Sequence, residues 1–83
     1  MNEISIHKTA LKHGLTEQSI REAWDNFIVR RARGDDYLVA IGFDSLGREI
    51  EMVALVMVDG SLLIIHGMSP STEKLRRELG LRR

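Results

Sequence analysis

Apolar positions along this chain form two helical stripes, then a central block of alternating and continuous apolar runs, then one more short helical stripe. Ile6, Ala10 and Leu11 share a face of a helix over residues 5–13, which Gly14 ends as a C′ residue. Thr16 is an N-cap with Glu17 in the first turn. Ile20, Ala23, Trp24 and Phe27 follow at the i, i+3, i+4, i+7 spacing of a second helix. Residues 27–33 read as a short strand or strand-like exit, and Asp35-Asp36 turns the chain. Residues 37–43 alternate, and Asp44-Ser45-Leu46-Gly47 is a tight loop ending in Gly. Residues 50–68 are two strands joined by Asp59-Gly60, a pair that suits the positive φ of a type I′ turn. That two-residue loop sets Val58 opposite Ser61, Val56 opposite Leu63, Ala54 opposite Ile65, Val53 opposite His66 and Glu51 opposite Met68. Ser69-Pro70 or Ser71 opens a last helix through Leu79, and Gly80 stops it.

The predicted fold is α+β. Two N-terminal helices pack on one face of a three- to four-stranded antiparallel meander, with a C-terminal helix, in a single domain. A four-residue loop at 44–47 places Tyr37, Val39, Ile41 and Phe43 beside Ile50, Met52, Ala54 and Val56, then Leu63 and Ile65. That face is apolar throughout and seats Ile20, Trp24 and Phe27. The loop one residue shorter sets Glu49 and Glu51 beside Phe43 and Ile41 and buries charge, so the first register is preferred. The opposite face carries Val53, Leu55, Met57, Leu62 and Ile64 and ends in Glu51 and His66. Either Leu75 and Leu79 of the last helix cover it, or it is an interface with a partner or a second copy.

Length and composition limit the function classes. A chain of 83 residues forms one small domain whose folding buries roughly 60–65% of its unfolded surface, so a partner or dimer would add stability. There are no cysteines, which excludes a disulfide framework, a thiolate metal site and a thiol nucleophile, and suits a reducing compartment. The longest apolar run, residues 52–58, falls far short of the ~20 needed to cross a bilayer, and residues 1–13 lack a signal-peptide core. A soluble cytoplasmic protein is the expectation. Net charge is zero but uneven: residues 1–34 balance at +2, residues 35–60 at −5 and residues 61–83 at +3. The basic ends make one basic surface only if the fold brings them together.

His66 and Glu51 are the leading chemical candidates. They lie diagonally across neighbouring strands, about 7–8 Å apart at Cα, and a Glu–His pair suits general acid–base work near neutral pH; a plain structural contact at a sheet edge is the alternative. His7 and His13 are six residues apart, off the spacing of one helix face, so no metal site is expected there, and no cofactor motif is present. Arg30, Arg31 and Arg33, and Arg76 and Arg77 with Arg82 and Arg83, can grip phosphates or serve as a solvated surface. Trp24, Phe27, Tyr37 and Phe43 read as core, which disfavours binding of single strands by stacking.

Two phrases then carry a family resemblance. Lys12-His13-Gly14-Leu15-Thr16, before a helix ending near Ala23-Trp24, resembles the opening of BrnT-type toxins. Ile64-Ile65-His66-Gly67-Met68, before a helix with Glu73, Arg76 and Arg77, resembles their last strand and C-terminal helix. Gly42-Phe43-Asp44 and Gly47-Arg48 resemble the family's central meander. The resemblance implies a RelE/ParE-like fold with helices on one sheet face, an antitoxin wrapping an open concave face, and mRNA cleavage, free or on the ribosome. Met68 stands where that family has Arg, and His66 where it has Ser, so the catalytic set differs. The expected function is an endoribonuclease toxin of a type II toxin–antitoxin pair, without metal. His66 and Glu51 transfer protons, Arg48, Lys74, Arg76 or Arg77 stabilise charge, and Lys12 and His13 stand behind them. The other reading is a non-catalytic module that dimerises or binds a partner through its apolar sheet face.

Overall fold

A computed structural model describes residues 3–81, and the first apolar stripe among them is a strand. Ile4–Ile6 (β1) pairs in parallel with Leu62–Met68 (β5), Ile4 opposite Leu62 and Ile6 opposite Ile64. A 3₁₀ turn, Lys8–Leu11, follows, with His7 as its cap: Nδ1 accepts from the Thr9 N–H at 3.2 Å. Two branched residues around a serine suit a strand, and so short a segment gains little from helix formation alone. The remaining strands are Phe27–Arg33 (β2), Tyr37–Phe43 (β3) and Glu49–Val56 (β4). They form one five-stranded sheet in the order β1-β5-β4-β3-β2. The expected fold, two N-terminal helices on an antiparallel meander of three or four strands, is therefore corrected to a mixed sheet with one N-terminal α-helix.

That helix, Glu17–Asp25 (α1), starts as its cap signals require: the Thr16 hydroxyl accepts from the Ser19 N–H at 3.1 Å. It buries Ile20, Ala23 and Trp24 against Ala40, Ile50, Met52, Ala54, Leu62 and Ile64. Asn26 ends it, so Phe27 lies in β2 and is 43% exposed, not part of the buried stripe. The helix lies directly on β3, where a Cβ at Gly42 would stand 1.9 Å from the Ala23 carbonyl oxygen. Across the sheet, Glu73–Glu78 (α2) sets Leu75 and Leu79 on Val39 and Ile41, with Val29, Val53 and Leu81 around them. Thr72, rather than an earlier serine, caps it. Gly80, at φ +77°, closes it as a Schellman motif: Leu81 N–H bonds Arg76 O at 2.8 Å and Gly80 N–H bonds Arg77 O at 3.1 Å.

Both predicted registers change, and the changes position the site. In β3–β4, Phe43 pairs with Glu49, Ile41 with Glu51 and Val39 with Val53, the neighbours rejected above for burying charge. The loop that sets them, 44–48, is one residue longer than expected and not shorter. The charge is tolerated because partners on β5 and around α2 meet it. In β4–β5 the turn is Val58-Asp59-Gly60: Met57 N–H bonds Ser61 O at 2.8 Å, and only Gly60 has positive φ. A type I′ turn needs positive φ at both central residues, so Asp59 rules it out. Val56, Leu55 and Ala54 consequently face Leu62, Leu63 and Ile64, one residue off the expected pairing. A bulge at Ile65 takes up that residue, and Val53 meets His66 and Glu51 meets Met68 as expected.

Candidate functional site

The bulge at Ile65 sends His66 to the face opposite Leu62 and Ile64. Those two are 7% and 0% exposed under α1, whereas His66 turns toward α2. The bulge is anchored from outside the strand, since the Thr9 hydroxyl donates to the Ile65 carbonyl at 2.7 Å. On the α2 face His66 Nε2 meets Glu51 Oε2 at 2.8 Å, and the other Glu51 oxygen accepts from the Thr72 N–H at 2.6 Å. Glu51 is 6% exposed and the His66 side chain 28%, so a buried carboxylate presents a half-buried imidazole. A buried carboxylate needs such donors to offset its lost hydration. The pairing orients the ring with its proton on Nε2, which leaves Nδ1 as an acceptor. His13, exposed in the loop before α1, stands edge-on to His66 with ring centroids 5.7 Å apart.

His66 and Glu51 open into a cleft of 260 Å³ shared with Arg33, Val53, Thr72, Lys74, Leu75 and Glu78. Arg33 holds Glu78 by two hydrogen bonds, which keep the glutamate carboxyl below its ordinary range and the guanidinium above its own. Glu49, next inward-facing residue along β4, accepts from Arg76 and from the buried Ser71 hydroxyl. Of the two carboxylates that line the cleft, Glu51 is met by His66 and the Thr72 N–H and Glu78 by Arg33, while Glu49 is paired beside the cleft.

The candidate residues divide by face. His66, Glu51 and Lys74 come together in the cleft, with Arg33 joining them. Arg48 lies across the sheet, bound to Asp44 at 2.8 Å and to the Ser19 hydroxyl at 2.9 Å. Burial works against the charge on Asp44, but the backbone and guanidinium of Arg48 outweigh it and hold the carboxyl below its usual range. Arg48 pins the 44–48 loop to α1 and does not reach the cleft. Arg30 also lies on the α1 side, stacked 4.0 Å from the Phe27 ring centroid and 5.1 Å from that of Trp24. Arg31 reaches toward the Gly80 end of α2, Arg77 pairs with Glu73 on the surface, and Lys12 is exposed at the end of the 3₁₀ turn. The basic residues therefore occupy both faces, and Arg82 and Arg83 lie outside the described residues.

The predicted interface set divides too. Val53 and Leu55 lie on the α2 face and Met57 is exposed, but Leu62 and Ile64 are core beneath α1. Pattern reading missed Glu78 and the Thr72 N–H. Glu78 has a signal in hindsight, an acid spaced i, i+4 from Lys74, whereas the Thr72 contact depends on where α2 docks. No helix among the described residues is long and apolar enough to cross a membrane. No family model, curated protein or solved structure matches the chain.

Proposed function

We propose that the chain is an endoribonuclease of the toxin type, one member of a toxin–antitoxin pair, and that the cleft beside α2 is its active site. The observation that carries this reading is one imidazole, His66, placed between a buried carboxylate and a second imidazole. The 2.8 Å contact to Glu51 and the 5.7 Å ring contact to His13 supply the groups that RNA cleavage by acid–base chemistry requires. The family resemblance supports it at His13, which lies in the first of its two phrases, whereas His66 stands where that family has Ser.

In this reading Glu51 fixes the His66 tautomer, and Nδ1 takes the proton of a ribose 2′-hydroxyl. The 2′ oxygen attacks the adjacent phosphorus, and protonated His13 gives its proton to the departing 5′ oxygen. Arg33 and Lys74 supply positive charge that offsets the negative charge building on the phosphorane oxygens. The products are a 2′,3′-cyclic phosphate and a 5′-hydroxyl end.

Induction of the gene without its antitoxin should arrest growth, and His66→Gln, which keeps an N–H donor for buried Glu51, should relieve the arrest with the thermal unfolding curve close to that of wild type. The purified protein should cut RNA in the presence of EDTA and leave cyclic phosphate ends. A second reading, a non-catalytic interaction module, is favoured by Phe27 and Ile28, 43% and 52% exposed on the outermost strand. No growth arrest, no cleavage and a concentration-dependent dimer in sedimentation would select that reading instead.

A further inference from the structure

Arg33 and Lys74 enter the cleft from different elements, β2 and α2, and both act on one carboxylate. Arg33 donates to Glu78 through Nε at 2.8 Å and Nη2 at 2.6 Å, a two-pronged grip. Lys74 stands one turn earlier on the same side of α2, close enough to favour the ionised form of Glu78. All three line the cleft that holds His66 and Glu51. A guanidinium fork with an ammonium beside it holds phosphate by the same geometry that holds carboxylate.

We propose that Arg33 and Lys74 form a phosphodiester-binding subsite, and that Glu78 fills it in the free protein as a stand-in for substrate. This rests on the reading of the cleft as an RNA-cleaving site, and adds where the phosphate sits and what competes with it. The exchange conserves charge, because a phosphodiester carries one negative charge and so does the carboxylate it displaces. It is also easy. The two side chains are 45% and 37% exposed, and an ion pair so open to water is weak. Glu78 is the last residue of α2, and the helix end beyond it is held by backbone bonds and by Leu79 and Leu81 on the core. Its side chain can therefore turn away without loosening the helix. Three other arginines offer no such exchange: Arg48 is held across the sheet, Arg76 beside buried Ser71, and Arg77 pairs with Glu73 outside the cleft lining.

The test uses a fluorescent tetranucleotide with 2′-O-methyl riboses, which has no 2′-hydroxyl to activate, and inorganic phosphate as a second probe. Glu78→Gln should bind the tetranucleotide about fivefold tighter than wild type, the equivalent of losing one weak internal competitor. Arg33→Gln should weaken binding by about tenfold, and the double variant should be no tighter than Arg33→Gln. Equal or weaker binding by Glu78→Gln overturns the proposal, as does inorganic phosphate binding more tightly than the tetranucleotide. Titration of the wild-type protein, followed by the Arg33 Nε–H resonance, keeps the test independent of how the variants fold. That resonance should shift early in the titration, and shifts confined to residues outside the cleft overturn the proposal. RNA cleavage with no Glu78 effect removes this subsite and leaves the ribonuclease reading. Tighter binding by Glu78→Gln with no cleavage of RNA does the reverse.

Discussion

Nε2 of His66 stands 2.8 Å from Oε2 of Glu51, on the opposite face of the sheet from the buried Ile64 only two residues earlier. Residues two apart on a regular strand share a face, so the contact exists because Ile65 is an extra, unpaired residue. Placing this imidazole thus depends on a backbone irregularity, anchored by Thr9 at the Ile65 carbonyl, while Glu51 holds the ring itself.

Glu51 should therefore matter to both the ring and the fold. Glu51→Leu leaves the Thr72 N–H without its acceptor and should cost about 1–3 kcal/mol in urea unfolding. Glu51→Gln keeps an oxygen for Thr72 but can present an amide N–H to the imidazole. Its His66 ring should then shift from the Nε2–H tautomer toward Nδ1–H, read from the ring nitrogen chemical shifts. An unchanged tautomer would show that Glu51 does not orient the ring.

Thr9 supports the bulge from outside the strand. Thr9→Val keeps the branched shape but removes the 2.7 Å hydrogen bond to the Ile65 carbonyl. The expected loss is about 1 kcal/mol, together with faster amide exchange at His66 and Gly67 than in the rest of β5. Uniform exchange along β5 would show that the bulge is held by the sheet alone.

Signals confined to a few neighbouring residues were legible in the chain. Thr16 caps α1, residues 37–43 alternate as a strand, and Gly80 ends α2 because each depends on local backbone chemistry. Choices that depend on distant partners were not. β1 becomes a strand because β5 offers it an edge, and no helix-or-strand rule applied to residues 4–6 contains that edge. Rejecting the register that buries Glu49 and Glu51 applied a sound rule for unpaired charge, but Arg76, Ser71, His66 and the Thr72 N–H supply partners from residues 66–76. The Glu51–His66 diagonal survived because a turn predicted one residue too short and a bulge of one residue cancel beyond Ile65. Before the bulge they do not cancel, so Leu62 and Ile64 lie on the α1 face and not on the expected one.

Acid should weaken the bond between β2 and α2. Arg33 holds the Glu78 carboxyl below its ordinary value, so the folded protein keeps Glu78 ionised at pH values where the unfolded chain takes up a proton. The pair's contribution is fully present above the ordinary glutamate value of about 4.3 and is lost as pH falls through the lowered one. Both side chains are well exposed, so the contribution is under about 1 kcal/mol. Glu78→Gln should unfold slightly more easily than wild type near neutral pH, with the difference vanishing in strong acid. A difference that grows toward acid would contradict this sign.

The tightest constraint in the fold lies away from the cleft, where α1 meets β3. A Cβ at Gly42 would stand 1.9 Å from the Ala23 carbonyl oxygen and 3.0 Å from that of Asn26, and neither backbone atom can swing aside as a side chain can. Gly42→Ala must therefore lift the C-terminal end of α1 off the sheet, loosening Ala23 and Trp24 in the core. The expected cost is about 3 kcal/mol, the upper end for overpacking, with an early thermal transition and increased exposure of Trp24 in its fluorescence. Gly34 also has positive φ, but its Cβ direction is open, so Gly34→Ala meets only backbone strain and no neighbour. Its cost should be about 1 kcal/mol, with Trp24 fluorescence unchanged. If the two variants unfold alike, the close approach of α1 to β3 is not the constraint that the geometry makes it.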